Sequence, residues 1–191
     1  MRITGGRFRG RLLAAPDDER VRPTADRVRQ AIFNILLHND FDIGFALEGA
    51  RVADIFAGTG AMGLEALSHN ARFCLFVDSG AESRALLREN VEALALTGTT
   101  KIWRRDATAL GPMSPGAGGP FELVFLDPPY RKYLIAPALA SLRGGGWLAP
   151  HALIVAEHGL DETIAPVDQF NQVDTRNYGD TAVDFLLFHT S

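Results

Sequence analysis

Short, nearly unbroken apolar runs alternate with longer stretches of helical spacing from residue 51 almost to residue 160. Val52, Ile55 and Phe56 suit a first strand, which runs into Gly58-Thr59-Gly60 and then a helix over Ala61 to His69. Arg72 to Val77 predicts a second strand, Gly80 to Leu96 a helix with Leu87, Val91 and Leu94 on one face, and Thr100 to Arg105 a third strand. Phe121 to Leu126 is almost wholly apolar, as expected of a strand covered on both faces. A helix around Tyr133 to Leu142, a turn at Gly144 to Gly146 and a strand at Ala152 to Ala156 follow. The last part changes rhythm. Gln172 to Asn177 and Ala182 to His189 read as strands joined at Tyr178-Gly179-Asp180, too close for a crossover helix and so antiparallel. The expected fold is α/β, a doubly wound sheet that is mostly parallel and ends in an antiparallel C-terminal hairpin.

Before residue 51 the pattern is different. Arg2 to Thr4 and Arg11 to Ala14 read as two short strands around a glycine-rich basic turn. Thr24 is placed to cap a helix after Pro23, with Val28, Ala31, Ile32, Ile35 and Leu36 on its apolar side and Arg27 and Arg29 on its polar side. The expected organisation is a basic N-terminal extension, residues 1–40, packed on a main domain of residues 41–191. Residues 111–120 form a loop by composition.

At 191 residues, 47% of them apolar and 22% charged, the chain suits one folded domain and neither a disordered nor a membrane class. It lacks a run of membrane-spanning length and a secretory h-region, so a cytoplasmic location and no membrane partner are expected. The net charge of −4 is unevenly placed: residues 1–30 hold eight arginines against four acids. A basic segment on an acidic body suits a phosphate-rich partner, and equally a solvated surface. Cys74 lies in an apolar run and reads as a buried thiol. The five histidines show no ligand spacing, and no metal is expected.

The turn after the first strand concentrates the chemistry. Gly58, Gly60 and Gly63 satisfy G-x-G-x-x-G, a pattern that places backbone N–H groups and a helix N-terminus beside a strand end, where nucleotides bind. Asp78 ends the second strand, placed either to accept from ribose hydroxyls or to cap the next helix. Asp106 ends the third strand, either facing an adenine or lying on the surface. Asp127-Pro128-Pro129-Tyr130 is sharper: two prolines after a buried strand fix φ and remove two donors, so carbonyls face the cleft. Right-handed crossovers that reverse direction put this fourth strand beside the first, and its tetrapeptide across from the glycine turn.

Asp54-Ile-Phe-Ala-Gly-Thr-Gly together with Asp127-Pro-Pro-Tyr resembles the S-adenosylmethionine-dependent amino-methyltransferases. Arg22-Pro-Thr-Ala-Asp-Arg-Val-Arg-Gln-Ala-Ile-Phe-Asn-Ile-Leu and Arg176-Asn-Tyr-Gly-Asp-Thr further resemble the bacterial small-subunit ribosomal RNA guanine-N2 methyltransferases of the RsmD type. The resemblance runs from the first residues to the last strand and implies the Rossmann-like class I methyltransferase fold. It implies S-adenosylmethionine held by Asp54, Phe56, Ala57, Gly58, Thr59, Gly60, Gly63, Asp78 and Asp106. It also implies methyl transfer to one guanine N2 of 16S ribosomal RNA at Asp127, Pro128, Pro129 and Tyr130. Arg7, Arg9, Arg11, Arg22, Arg27 and Arg29 are the expected phosphate contacts, the partner being 16S ribosomal RNA within a small subunit or assembly intermediate. A monomer is expected, since no exposed apolar stripe calls for a second copy. The competing readings are an amino-methyltransferase acting on DNA adenine or protein glutamine, a nucleotide-dependent oxidoreductase, which leaves Asp127 to Tyr130 unexplained, and a non-catalytic RNA-binding module.

Overall fold

The computed structural model describes residues 1–16 and 23–190. Helix α1 spans Pro23–His38, and the alternation then runs β1 (Arg51–Ile55), α2 (Ala61–Ser68), β2 (Phe73–Val77), α3 (Ala81–Ala93), β3 (Thr100–Trp103), β4 (Phe121–Leu126), α4 (Ile135–Gly144) and β5 (Leu148–Gly159). Strands β6 (Phe170–Tyr178) and β7 (Thr181–Phe188) close the chain. All seven form one sheet in the order β3-β2-β1-β4-β5-β7-β6. The first five are parallel, whereas β7 runs antiparallel to both β5 and β6. The order reverses between β1 and β4, which makes a crevice at their carboxyl ends.

Apolar residues on successive positions of β1 divide between two cores. Val52 faces a cluster formed with α1, α2 and α3, while Ala53 and Ile55 face a second cluster with Ile135, Ala138, Leu139 and Leu142 of α4. Both faces are covered, hence the unbroken apolar runs. Among the described residues α4 is the one α-helix on the second face, and the segment between β3 and β4 takes the place of another. Leu110 and Ala117 are buried in it, Trp147 Nε1 donates to Gly111 O at 2.8 Å, and Met113 N donates to Gly145 O at 2.8 Å. The glycine- and proline-rich loop of residues 111–120 is therefore part of the core wall.

The N-terminal segment differs from a two-stranded hairpin. Its ladder is one bridge, Arg2 to Leu12, and a single 3-10 turn occupies Gly6–Phe8. Ile3 and Leu13 are buried in the same cluster as α1, β1 and β4, so residues 1–40 have no core of their own. Helix α1 starts at Pro23, a position where proline's missing N–H costs nothing, rather than after Thr24.

The buried face of α1 is also rotated from the expected one. Phe33 and Arg29 point inward, while Ala31 and Ile35 are only half-buried. Arg29 is 4% exposed because Glu65 of α2, itself 0% exposed, draws it in: Arg29 Nε lies 3.0 Å from Glu65 Oε2, and Nη2 donates to Asp26 and to the Arg2 carbonyl. The same carboxylate accepts from Thr4 N at 2.9 Å, Thr4 Oγ1 at 2.8 Å and Gly5 N at 2.7 Å. One buried acid thus clamps the N-terminal segment, α1 and α2 together.

Candidate active site

Register aligns the carboxyl ends of the central strands. Ile55 pairs with Val77 on one side and Leu126 on the other, and Leu126 pairs with Ala156. The next residues, Asp78, Phe56, Asp127 and Glu157, therefore begin one row across β2, β1, β4 and β5. They line a single cavity of about 1020 Å³, shared with Asp54, Ala57, Gly58, Thr59, Asp106, Pro128, Pro129, Tyr130 and Thr181.

The turn after β1 is shaped by backbone that side chains resist. Phe56 adopts φ 67°, ending the strand one residue earlier than expected, and Gly58 and Gly60 have φ 54° and 81°. A Cβ on Gly58 would meet nothing within 4 Å, and Gly58 faces the cavity. Gly60 and Gly63, expected at the cofactor, are not among the residues lining it. A Cβ on Gly60 would overlap Leu87 Cδ1, and one on Gly63 would overlap Phe76 Cε1 and lie 2.5 Å from Cys74 Sγ. These two glycines let α2 approach α3 and β2. Cys74 is buried there, and burial pushes its thiol up, away from reactivity.

Asp54 Oδ2 accepts from Gly63 N at 2.9 Å, tying β1 to the first turn of α2. Burial lifts its carboxyl to about 7 despite that bond, and the nearby Asp78 charge adds to the lift. Asp78 accepts from Gly58 N at 2.8 Å through Oδ2 and from Gly80 N at 2.7 Å through Oδ1. One oxygen thus holds the glycine turn and the other the residue that precedes α3. Asp106 is exposed and accepts from the hydroxyl and N–H of Thr108 at 2.7 and 2.8 Å, bonds that hold its carboxyl below the usual range.

On the opposite wall, Asp127 is exposed, Pro128 buried and the Tyr130 ring 42% exposed. The Tyr130 hydroxyl donates to Glu157 Oε1 at 2.8 Å and lies 2.9 Å from Thr181 Oγ1, so residues of β5 and β7 fix the ring. Burial raises the Tyr130 phenol, and it raises the Glu157 carboxyl as well.

A family model described as Conserved hypothetical protein 95 matches residues 1–187. Over 167 residues the chain is 35% identical to ribosomal RNA small subunit methyltransferase D of Escherichia coli (strain K12), a match spanning 87% of this chain and 79% of that relative. The chain belongs to this RsmD-type methyltransferase family. The namesake from Haemophilus influenzae is 29% identical over 179 residues, covering 94% of this chain and 89% of its own. The solved structure "Putative methyltransferase yhhF from Escherichia coli" superposes with a TM-score of 0.82 at 30% identity, over 100% of this chain and 99% of that one.

Within this RsmD-type chain the expected phosphate contacts divide. Arg29 is withdrawn from that role, since its guanidinium is buried on Glu65 and Asp26. Arg22 lies outside the described residues. Arg7, Arg9, Arg11 and Arg27 are exposed. Phe8 N donates to Ser68 Oγ and Arg11 Nη2 to Ala93 O, at the last turns of α2 and α3. These contacts seat the N-terminal segment against α2 and α3, and at its start Met1 lines the cavity. Glu157 and Thr181 were not anticipated. Glu157 had a signal, because it ends an apolar run as Asp78 and Asp127 do, whereas Thr181 and the clamp Glu65 carry none.

Proposed function

We propose that the chain transfers a methyl group from S-adenosylmethionine to the exocyclic N2 amine of one guanine in 16S ribosomal RNA, the acceptor being presented on a small subunit or an assembly intermediate. The observation that carries this is that Asp127 to Tyr130 and the glycine turn line one cavity, in a chain of the RsmD-type family. The residues present fit the cofactor. Gly58 leaves open space where a side chain would intrude, and the carboxylates of Asp54, Asp78 and Asp106 suit a ligand bearing an ammonium, a ribose and an adenine. When bound, the cofactor supplies an electrophilic methyl group.

The remaining work falls to the protein. A guanine amine is a poor nucleophile because its lone pair is delocalised into the ring. Acceptance of its two N–H bonds by the Asp127 side chain and the Pro128 carbonyl holds the amine so that its lone pair, perpendicular to the ring plane, aligns with the methyl carbon. Such alignment can be worth ~7–11 kcal/mol. Tyr130, its hydroxyl tied down, stacks on the base that has left its helix. Asp127 serves here as acceptor and positioner, with no requirement that it take the proton.

The test is transfer of labelled methyl to small subunits from cells lacking the endogenous activity, followed by nucleoside analysis. N2-methylguanosine at one site, lost in Asp127→Ala, is the expected result. A different methylated nucleoside overturns the acceptor assignment, and unchanged transfer by Asp127→Ala overturns the mechanism.

A further inference from the structure

Asp54, Asp78, Asp106, Asp127 and Glu157 make the cleft a concentration of carboxylates, a poor destination for a polyanion. The two guanidinium groups lining it are committed. Arg29 is held by Glu65, and Arg105 donates to the Leu110 carbonyl and lies over the Trp103 ring at 5.0 Å. A nucleotide in this cleft therefore needs cations at the mouth to hold the phosphates on either side of it.

The mouth offers them in Arg131-Lys132-Tyr133. Tyr130 and Leu134 line the cavity and the three residues between them do not, which makes these three its rim. Their side chains are exposed, Arg131 by 76% and Tyr133 by 66%. Arg131 and Tyr133 adopt φ 60° and 53°, left-handed values that non-glycine residues avoid. The segment is pinned by Arg131 N donating to Glu162 Oε1 and by the Arg131 guanidinium 3.1 Å from Asp161 Oδ2, both acids lying just beyond β5. That ion pair is exposed on both sides, so a phosphate can replace the carboxylate at little cost. Cations interleaved with an exposed aromatic ring, beside a base-sized cleft, match the chemistry of an unpaired RNA strand.

We propose that Arg131, Lys132 and Tyr133 form an RNA-docking rim. Arg131 and Lys132 take the phosphates flanking the target nucleotide, and Tyr133 stacks on a neighbouring base. This rests on the ribosomal RNA reading above.

The experiment compares wild type, Arg131→Asn/Lys132→Gln and Tyr133→Asn, asparagine being a residue that tolerates the left-handed backbone. Methyl transfer to unmethylated small subunits is measured across a salt series, and cofactor affinity separately by calorimetry. The double variant should raise KM for the subunit about tenfold, with kcat and cofactor Kd within about twofold. It should also flatten the dependence of log(kcat/KM) on log salt by about 1.4, two phosphates at ~0.7 each. Tyr133→Asn should raise KM at least about fivefold and leave that slope unchanged. An unaltered slope and KM in the double variant, alongside active wild type, overturns the rim alone. A matching loss of cofactor affinity marks a structural role and overturns it too. Wild type that binds cofactor but methylates no ribosomal RNA overturns the reading and the rim together.

Discussion

Replacing Asp54 with asparagine isolates the cost of a buried carboxylate in the cavity wall. In the folded chain this carboxyl keeps its proton up to about pH 7, against a reference of 3.8. In the unfolded chain it is lost near pH 4. Between those values the folded state binds more protons, so stability falls as pH rises from about 4 to 7 and then levels off. At ~1.4 kcal/mol per unit, ionising Asp54 inside the fold costs up to roughly 4 kcal/mol. An asparagine there cannot ionise, yet its amide oxygen can still accept from Gly63 N. Asp54→Asn should therefore exceed wild type by about 1–2 kcal/mol at pH 5 and by up to roughly 4 kcal/mol at pH 8, on the order of 10 °C in Tm for a domain of this size. Denaturant and thermal unfolding of both proteins at pH 5, 6, 7 and 8 read this directly, and parallel pH curves would refute the reasoning. A cationic ligand in the cleft should draw the carboxyl back down. Cofactor binding near pH 7 should then release up to about 0.5 proton from wild type and none from the variant, seen by calorimetry in buffers of different ionisation enthalpy.

Glu65→Gln leaves the buried Arg29 with Asp26 as its remaining acid partner, and should cost up to about 3 kcal/mol in denaturant unfolding; a variant as stable as wild type removes the clamp. Gly63→Ala drives a methyl against Phe76 and Cys74, and should cost about 1–3 kcal/mol of unfolding free energy, against no change if α2 can slide outward. Tyr130→Phe keeps the ring and removes the bonds to Glu157 and Thr181, so kcat should fall while KM for the RNA substrate stays within about twofold. Tyr130→Ala should raise that KM as well, by the ~1–3 kcal/mol of a lost stack; equal KM effects from the two variants would deny the stacking role.

The placing of β4 beside β1 and the facing of Asp127 to Tyr130 with the glycine turn were legible because they follow from local signals and the handedness of crossovers, whereas the insertion of β7 between β5 and β6 was not. Buried strands read as apolar runs, prolines mark the end of β4, and a carboxylate ends β2 and β4 in the same row. What sequence could not supply was pairing across distance. Arg29 reads as a polar-face arginine until Glu65, on another helix, turns it inward. Gly60 and Gly63 read as ligand-facing by motif, yet the neighbours that demand glycine are Leu87, Phe76 and Cys74. The loop of residues 111–120 has the composition of a surface connection, and its packing role appears only with Trp147 and Gly145 set against it.

The sheet is completed from the inside. β7 slots between β5 and β6, two strands made before it, and brings Thr181 to the cavity wall beside Tyr130. During synthesis, β6 has no neighbour in the sheet until β7 emerges, and the apolar edge of β5 stays open until the same moment. The nascent chain can bury α1 to α4 against the first five strands while the cavity wall still lacks Thr181. The cavity therefore gains its last lining residue with β7, and a copy that stops short of it lacks Thr181 and leaves the edge of β5 open.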